Sequence, residues 1–301
     1  MSPLKMWIIL LSVVVFSSLA FPSNTINCTV PPSLWCSDPQ IASACEVEEV
    51  CAQYNSSAFD DGKIKIGVYY EVLCPFCQNF TRQMLYPRVW RNLASYVDIE
   101  MIAYGNAKEV ANGTSWQFTC QHGVNHGEPE CFGNKIHNCL FYYESNPSVY
   151  MPFVYCMEQR THVACYDRCS VQQVNDIAND CFKNASIPMK IAQSTQECAT
   201  GEFGVQLLHK AALKTSSLKP ELHYHVPWIT INNVSVLDAQ KYRYVLDKFV
   251  CWNYAGNLKL PQYCNSKSYI EPCEPVPGGS GVRFSFQFYV LLVTTLISRV
   301  M

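Results

Sequence analysis

Seventeen cysteines in 301 residues constrain this chain more than any other feature. So many thiols are unusual in a reducing cytosol, whereas an oxidising compartment joins them into structural bridges. The chain is too long for a disulfide-stapled miniprotein. With 49% hydrophobic residues it has enough for one substantial core plus appendages, at roughly 100 to 200 residues per domain. Its 22 basic residues nearly balance 24 acidic ones, and no run of Lys or Arg forms a patch, so no nucleic-acid partner is expected.

Export fits the cysteine content. Residues 1–20 read as a signal peptide, with Lys5 ahead of an apolar run from Met6 to Phe16 and cleavage expected after Ala20. The alternative, a membrane anchor, needs a longer apolar run. Asn27, Asn55, Asn79, Asn112, Asn184 and Asn233 each open an N-x-S/T tripeptide and are the expected glycan acceptors. Within residues 21–57, Cys28, Cys36, Cys45 and Cys51 lie close together around Pro31-Pro32-Ser33-Leu34-Trp35, which suggests a small two-disulfide module. The stretch resembles a saposin A-type segment of the kind removed from saposin precursors. A leader with incidental cysteines is the other reading.

The core is expected over 58–265. Ile64, Ile66, Val68 and Tyr70 alternate as in a strand, and Phe76, Phe80, Met84, Leu85 and Val89 recur as on a helical face that Pro87 should kink or end. Val97–Tyr104 reads as a second strand. From about 105 to 218 the chain is insertion-like and rich in cysteine, with helices expected at Val171–Phe182 and Val205–Ala212. Pro227–Ile231 then reads as a short strand, Asn232-Asn233 as a turn and Val234–Val236 as the hairpin partner. Asp238 is the expected cap of a last helix reaching about Tyr254. This order describes an α/β fold, a thioredoxin-like domain with an inserted disulfide-rich helical subdomain.

Cys74-Pro75-Phe76-Cys77 falls where the first strand hands over to the first helix. Unpaired N–H groups and the positive end of the helix dipole point at Cys74 and favour its thiolate, which makes it the expected nucleophile. Cys77, one turn later, is placed to resolve the mixed disulfide. Pro75 suits a first turn that needs no N–H donor. Two other uses of the pair stay open, half of a zinc site or a structural bridge. No matching second Cys-x-x-Cys or spaced histidine pair accompanies the first, so no metal or cofactor is expected, and so short a loop contributes little as a staple. In His223-Tyr224-His225-Val226-Pro227-Trp228 the Val226–Pro227 bond opens a strand of the same domain. Val226 and Pro227 are the expected substrate-binding backbone, with an ordinary trans proline as the alternative.

These residues resemble the gamma-interferon-inducible lysosomal thiol reductase family over most of 64–256. The signature is carried by Cys120-Gln121-His122-Gly123, Glu130-Cys131, Asn134 and Cys139. Further similar stretches are Tyr69-Tyr70-Glu71, Tyr104-Gly105-Asn106-Ala107, Cys156-Met157-Glu158, Glu197-Cys198-Ala199 and His225-Val226-Pro227-Trp228. The gap Val124 to Pro129 is longer than the family's usual two residues.

The resemblance implies a glycosylated enzyme, trimmed at both ends, that reduces protein disulfides in acidic endosomes or lysosomes and so aids antigen processing. Its partners would be disulfide-bonded proteins and a small-thiol or other reductant. A cysteine of ordinary pKa, about 8.5, would be almost wholly protonated at a pH of about 5, so Cys74 must titrate much lower. His122 is expected to have a structural role in the signature loop.

Outside the leader and the redox pair the cysteines should staple insertion and tail, in a pairing that spacing does not determine. Their odd number leaves one thiol to stay unpaired or to form a disulfide-linked dimer. Residues 266–301 carry Gly278-Gly279-Ser280-Gly281 before an apolar stretch, Phe284 to Ile297. A removed propeptide, a lipid-anchor signal and a retained anchor all fit. Two other functions remain open: a secretory oxidase or isomerase using the same cysteines, and a redox-inactive secreted binding protein.

Overall fold

The computed structural model describes residues 28, 35–36, 38–49, 51–52, 62–121, 123–254 and 256–265, the side chains of 123–126 excepted. The expected signal peptide, Asn27, Asn55, His122, Cys273 and the tail 266–301 lie outside the described residues. Two compact units are present, Met1–Leu258 and Lys259–Met301, and the described residues of the second include a 3-10 turn at Gln262–Asn265.

Near the N-terminus, helix α1 (Pro39–Ala44) begins with the Asp38 carboxylate accepting from the Gln40 amide at 2.7 Å, with Pro39 at the first helical position. Two disulfides, Cys28–Cys45 and Cys36–Cys51, fasten this segment.

The central sheet has three strands in the order β2, β1, β5. Strand β1 (Ile64–Tyr70) pairs in parallel with β2 (Val97–Ala103), from Ile64 opposite Val97 to Tyr70 opposite Ala103. Antiparallel β5 (Trp228–Ile231) lies on its other side, Ile66 opposite Ile231 and Tyr69 opposite Trp228. Parallel neighbours need a crossover. Here it is α2 (Pro75–Phe80), continued by a π-helical segment, Thr81–Trp90, and one further turn. Pro87 neither ends nor breaks this run. A proline lacks the N–H for the ordinary i to i−4 bond, the wider π spacing accommodates it, and the Asn92 side chain donates to the Pro87 and Arg88 carbonyls at 2.8 and 3.0 Å.

Beyond β2 comes a hairpin of β3 (Lys108–Asn112) and β4 (Ser115–Thr119), then five helices: α3 (Gly123–Tyr143), α4 (Pro147–Ala164), α5 (Val171–Asn184), α6 (Met189–Thr200) and α7 (Glu202–Ser216). This is the expected disulfide-rich helical insertion. Cys120–Cys131 ties β4 to α3, Cys139–Cys198 ties α3 to α6, Cys156–Cys181 ties α4 to α5, and Cys165–Cys169 closes the connection between α4 and α5. Helix α7 covers one face of the sheet, where Leu208, Ala211 and Ala212 join Tyr69, Ile102 and Trp228 in a buried cluster. Tyr69 is therefore buried on the face opposite the alternating residues of β1, and the C-terminal half of that strand is covered on both sides.

After β5 the structure departs from expectation. Asn232 and Asn233 do form a turn, with φ of +50° and +66°, a left-handed pair that asparagine tolerates. Val234–Val236 forms no hairpin strand. Beyond one bridge to Ile231, Ser235 turns to 219–221, donating to the Lys219 carbonyl at 2.8 Å and accepting from the Glu221 amide at 3.1 Å. The last helix likewise starts without help from Asp238. Leu237–Val245 is 3-10, the Glu221 carboxylate accepts from the Leu237 amide at its start, and α8 (Leu246–Asn253) completes the run.

Candidate active site

Cys74 is the N-cap of α2, in extended conformation, with Pro75 next and the Gln78 amide closing the first turn on the Cys74 carbonyl at 2.9 Å. The N–H groups of that turn face the end of the helix where Cys74 stands. Cys74 and Cys77 are thiols outside any disulfide, whereas every other cysteine among the described residues is disulfide-bonded. Cys77 is fully buried, and burial pushes its thiol well above the usual cysteine range, reinforced by its hydrogen bond with Cys74. A thiol held neutral in this way suits the second step of an exchange. Cys74 itself is only 3% exposed, less than an attacking cysteine ordinarily shows. Any group that reacts with it has to enter the cleft.

The backbone that delivers Cys74 is gripped by one face of α3. The Asn134 side-chain oxygen accepts from the Val72 amide at 3.0 Å, the Tyr70 hydroxyl pairs with His137 Nδ1 at 2.6 Å, and Asn138 donates to the Ala103 carbonyl at 2.7 Å. Burial depresses His137 to about 3, so the imidazole that pairs with Tyr70 is neutral.

One turn earlier on α3, Glu130 accepts from the Gln121 amide at 2.8 Å. It stands near Glu71, which accepts from the Asn106 amide at 2.5 Å. With its amide nitrogen turned towards Glu71, the Gln121 side chain donates to both carboxyl oxygens, at 2.9 and 3.1 Å. Burial first, and Glu130 second, push Glu71 up to about 9. Glu158 of α4 is fully buried, and neither of its oxygens has a hydrogen-bond partner among the described residues. Burial first, and Cys74 second, raise it well above the carboxylate range. The Cys74–Cys77 motif thus backs onto two carboxyl groups, Glu71 and Glu158, that bind protons tightly.

On the outer side, a groove of about 320 Å³ runs between α2, which supplies Phe76, Asn79 and Phe80, and a wall of Val226, Pro227, Arg243 and Tyr244. Phe76 is 76% exposed at its lip. The structure therefore brings Val226 and Pro227 against α2, and the Val226–Pro227 peptide is cis. Asn79 lines the same groove and is exposed, as are Asn112, Asn184 and Asn233, which lie on separate elements. The roles of Glu71, Glu158 and Arg243 were not foreseen. Glu71, Glu130 and Glu158 stand inside the quoted family stretches, so their presence could be read, but not their proximity to one another. Arg243 carried no signal.

The family model described as gamma interferon inducible lysosomal thiol reductase (GILT) matches residues 65–185. A gamma-interferon-inducible lysosomal thiol reductase of Carassius auratus is 36% identical over 231 residues, 76% of this chain and 82% of that protein. One of Mus musculus is 30% identical over 222 residues, 74% of this chain and 80% of that protein. Among solved structures, oxidised BdbD of Bacillus subtilis superposes with a TM-score of 0.43 at 11% identity, covering 66% of this chain and 91% of that one. At these identities and coverages the chain belongs to the gamma-interferon-inducible lysosomal thiol reductase family, oxidoreductases acting on sulfur groups.

Proposed function

We propose that the chain reduces protein disulfides through Cys74 and Cys77 in acidic endosomes or lysosomes, reached by the secretory pathway, and thereby opens antigens to processing. The observation that carries this reading is the pair of thiols at the first turn of α2 in a chain whose other described cysteines are all disulfide-bonded.

The Cys74 thiolate attacks one sulfur of the substrate, forming a mixed disulfide and releasing the other sulfur as a thiolate that takes a proton. Cys77 then loses its proton and attacks Cys74 Sγ. The second substrate thiol leaves and a Cys74–Cys77 disulfide remains. Two electrons have passed to the substrate, and a small-thiol or other reductant restores the pair. Val226 and Pro227 offer backbone to the substrate chain in the groove beside Phe76. The compartment is taken from the names of the relatives, and the carboxyl groups behind the motif agree with it, since they are neutral at acid pH and do not oppose a thiolate.

Reduction of insulin disulfides at acidic and neutral pH tests the proposal. Turnover is expected to favour acid, to be lost in Cys74→Ser, and to stop at a trapped mixed disulfide in Cys77→Ser. Full turnover by Cys74→Ser overturns the assignment, and no turnover by the wild type at either pH favours an inert binding protein.

A further inference from the structure

We propose that Arg243 is a positioning residue of the redox site, holding the backbone that receives the substrate chain and setting a fixed positive charge in the groove beside the redox helix. The proposal rests on the reading of Cys74 as the nucleophile.

Arg243 lies far along the chain from Cys74 and 16 residues beyond Pro227, and it lines one groove with Phe76 and Pro227. Its guanidinium is committed to backbone. Nη1 donates to the Pro227 carbonyl, Nε donates to the Gln240 carbonyl at 3.1 Å, and Nη1 lies 3.4 Å from His225 Nδ1. Gln240 completes the clamp from the preceding turn, accepting from the Ile229 amide at 2.9 Å and donating to its carbonyl at 2.8 Å. The segment Leu237–Val245 therefore grips both Pro227 and β5. A planar fork can hold two carbonyls in fixed directions, which the single ammonium of a lysine does less well.

Among the residues lining the groove, Arg243 is the one Lys or Arg. His225 does not duplicate its charge, because burial and then Arg243 itself lower the histidine. Arg243 also lies within electrostatic reach of Cys77. From other elements, Glu71, Glu130 and Glu158 face the motif from behind, and Arg82 acts on Glu158. Tyr244, beside Arg243, is exposed. A cation fixed near the pair favours a thiolate over a thiol, and one unit charge across a partly solvated groove shifts such a midpoint by roughly half to one pH unit.

The test uses the full-length reduced protein and two readouts: the pH midpoint of Cys74 alkylation by iodoacetamide, followed by mass spectrometry, and KM against kcat for a disulfide peptide. Arg243→Gln is expected to raise the midpoint by roughly half to one unit, while Arg243→Lys leaves it in place. Both variants are expected to raise KM several-fold, since neither keeps the fork. His225 protonates more readily once Arg243 is gone, so each variant is also made with His225→Gln, and the shift is read in that background.

A midpoint and KM unchanged in Arg243→Gln overturn the proposal even if its Tm falls, and so does a change in only one of the two readouts in that variant. The two layers of the argument separate cleanly. If Cys74 of the wild type shows no titrating alkylation, the nucleophile assignment fails; if the wild type titrates and the variants coincide with it, only the role of Arg243 fails.

Discussion

At Glu71 a single carboxyl collects contacts from three separate stretches of chain: Asn106 beyond β2, Gln121 beyond β4, and Glu130 on α3. Gly105 makes this possible. Its φ is +61°, and a Cβ there would collide with the Glu71 side chain. Gly105→Ala is therefore expected to cost about 1–3 kcal/mol from backbone conformation alone, with a further loss from displacing Glu71. Urea melts of the two proteins measure it: a loss confined to that range would mean that Glu71 moves aside freely, and equal stability would overturn the backbone cost as well. Single residues were legible in the sequence where their chemistry is local: Cys74, Cys77 and Pro75 follow from spacing at a strand-to-helix junction. Arg243 was not, because its meaning arises only when Pro227 and Phe76 are brought to it by the fold.

At the scale of elements, three strands (β1, β2 and β5) and three helices (α2, α5 and α7) were foreseen, and α5 shows how clean periodicity makes an element legible. Helix α5 shows an apolar stripe of Val174, Ala178, Cys181 and Phe182 on one side and polar residues on the other. Helices α3 and α4 were missed for a physical reason. Their buried faces carry Glu130, Asn134, His137, Glu158 and Thr161, polar groups that break the apolar repeat, and each contains an internal proline. A helix that buries polar residues hides its own signal. The hairpin expected at Val234–Val236 failed in the opposite way, since alternation there is real but beyond one bridge to Ile231 of β5 the segment turns to 219–221. Helix α5 also offers a control remote from the chemistry. Ser170 and Gln173 form a reciprocal capping box, the Gln173 amide donating to Ser170 Oγ at 3.1 Å and the Ser170 amide to the Gln173 side chain at 2.9 Å. Ser170→Ala is expected to cost about 1 kcal/mol of stability and to leave insulin reduction unchanged. A matching fall in kcat would show that α5 reaches the redox site through α4.

For the molecule as a whole, the buried titratable groups give a definite pH dependence. Glu71 and Glu158 bind a proton more tightly folded than unfolded, since burial raises them from an ordinary value of 4.5, Glu71 to about 9. The folded state then holds more protons than the unfolded one above pH 4.5, so their contribution to stability is greatest in acid and is lost as pH rises through that window. His137 has the opposite sign. Depressed from 6.5 to about 3, it costs stability as pH falls through that range, because the unfolded chain takes up the proton first. Between pH 4.5 and 6.5 the two carboxyl groups outweigh the one imidazole; above 6.5 they act alone, and below 4.5 the imidazole does. These three groups together place the stability maximum on the acid side, near pH 4.5. Thermal melts from pH 3 to 9 are expected to show Tm falling on the alkaline limb, less steeply in Glu71→Gln and in Glu158→Gln, because an amide keeps the neutral shape without a proton to lose. A Tm that climbs towards neutrality in the wild type, or alkaline limbs of equal slope in all three proteins, would mean that these carboxyl groups ionise within the fold and that the neutral backing of Cys74 does not exist.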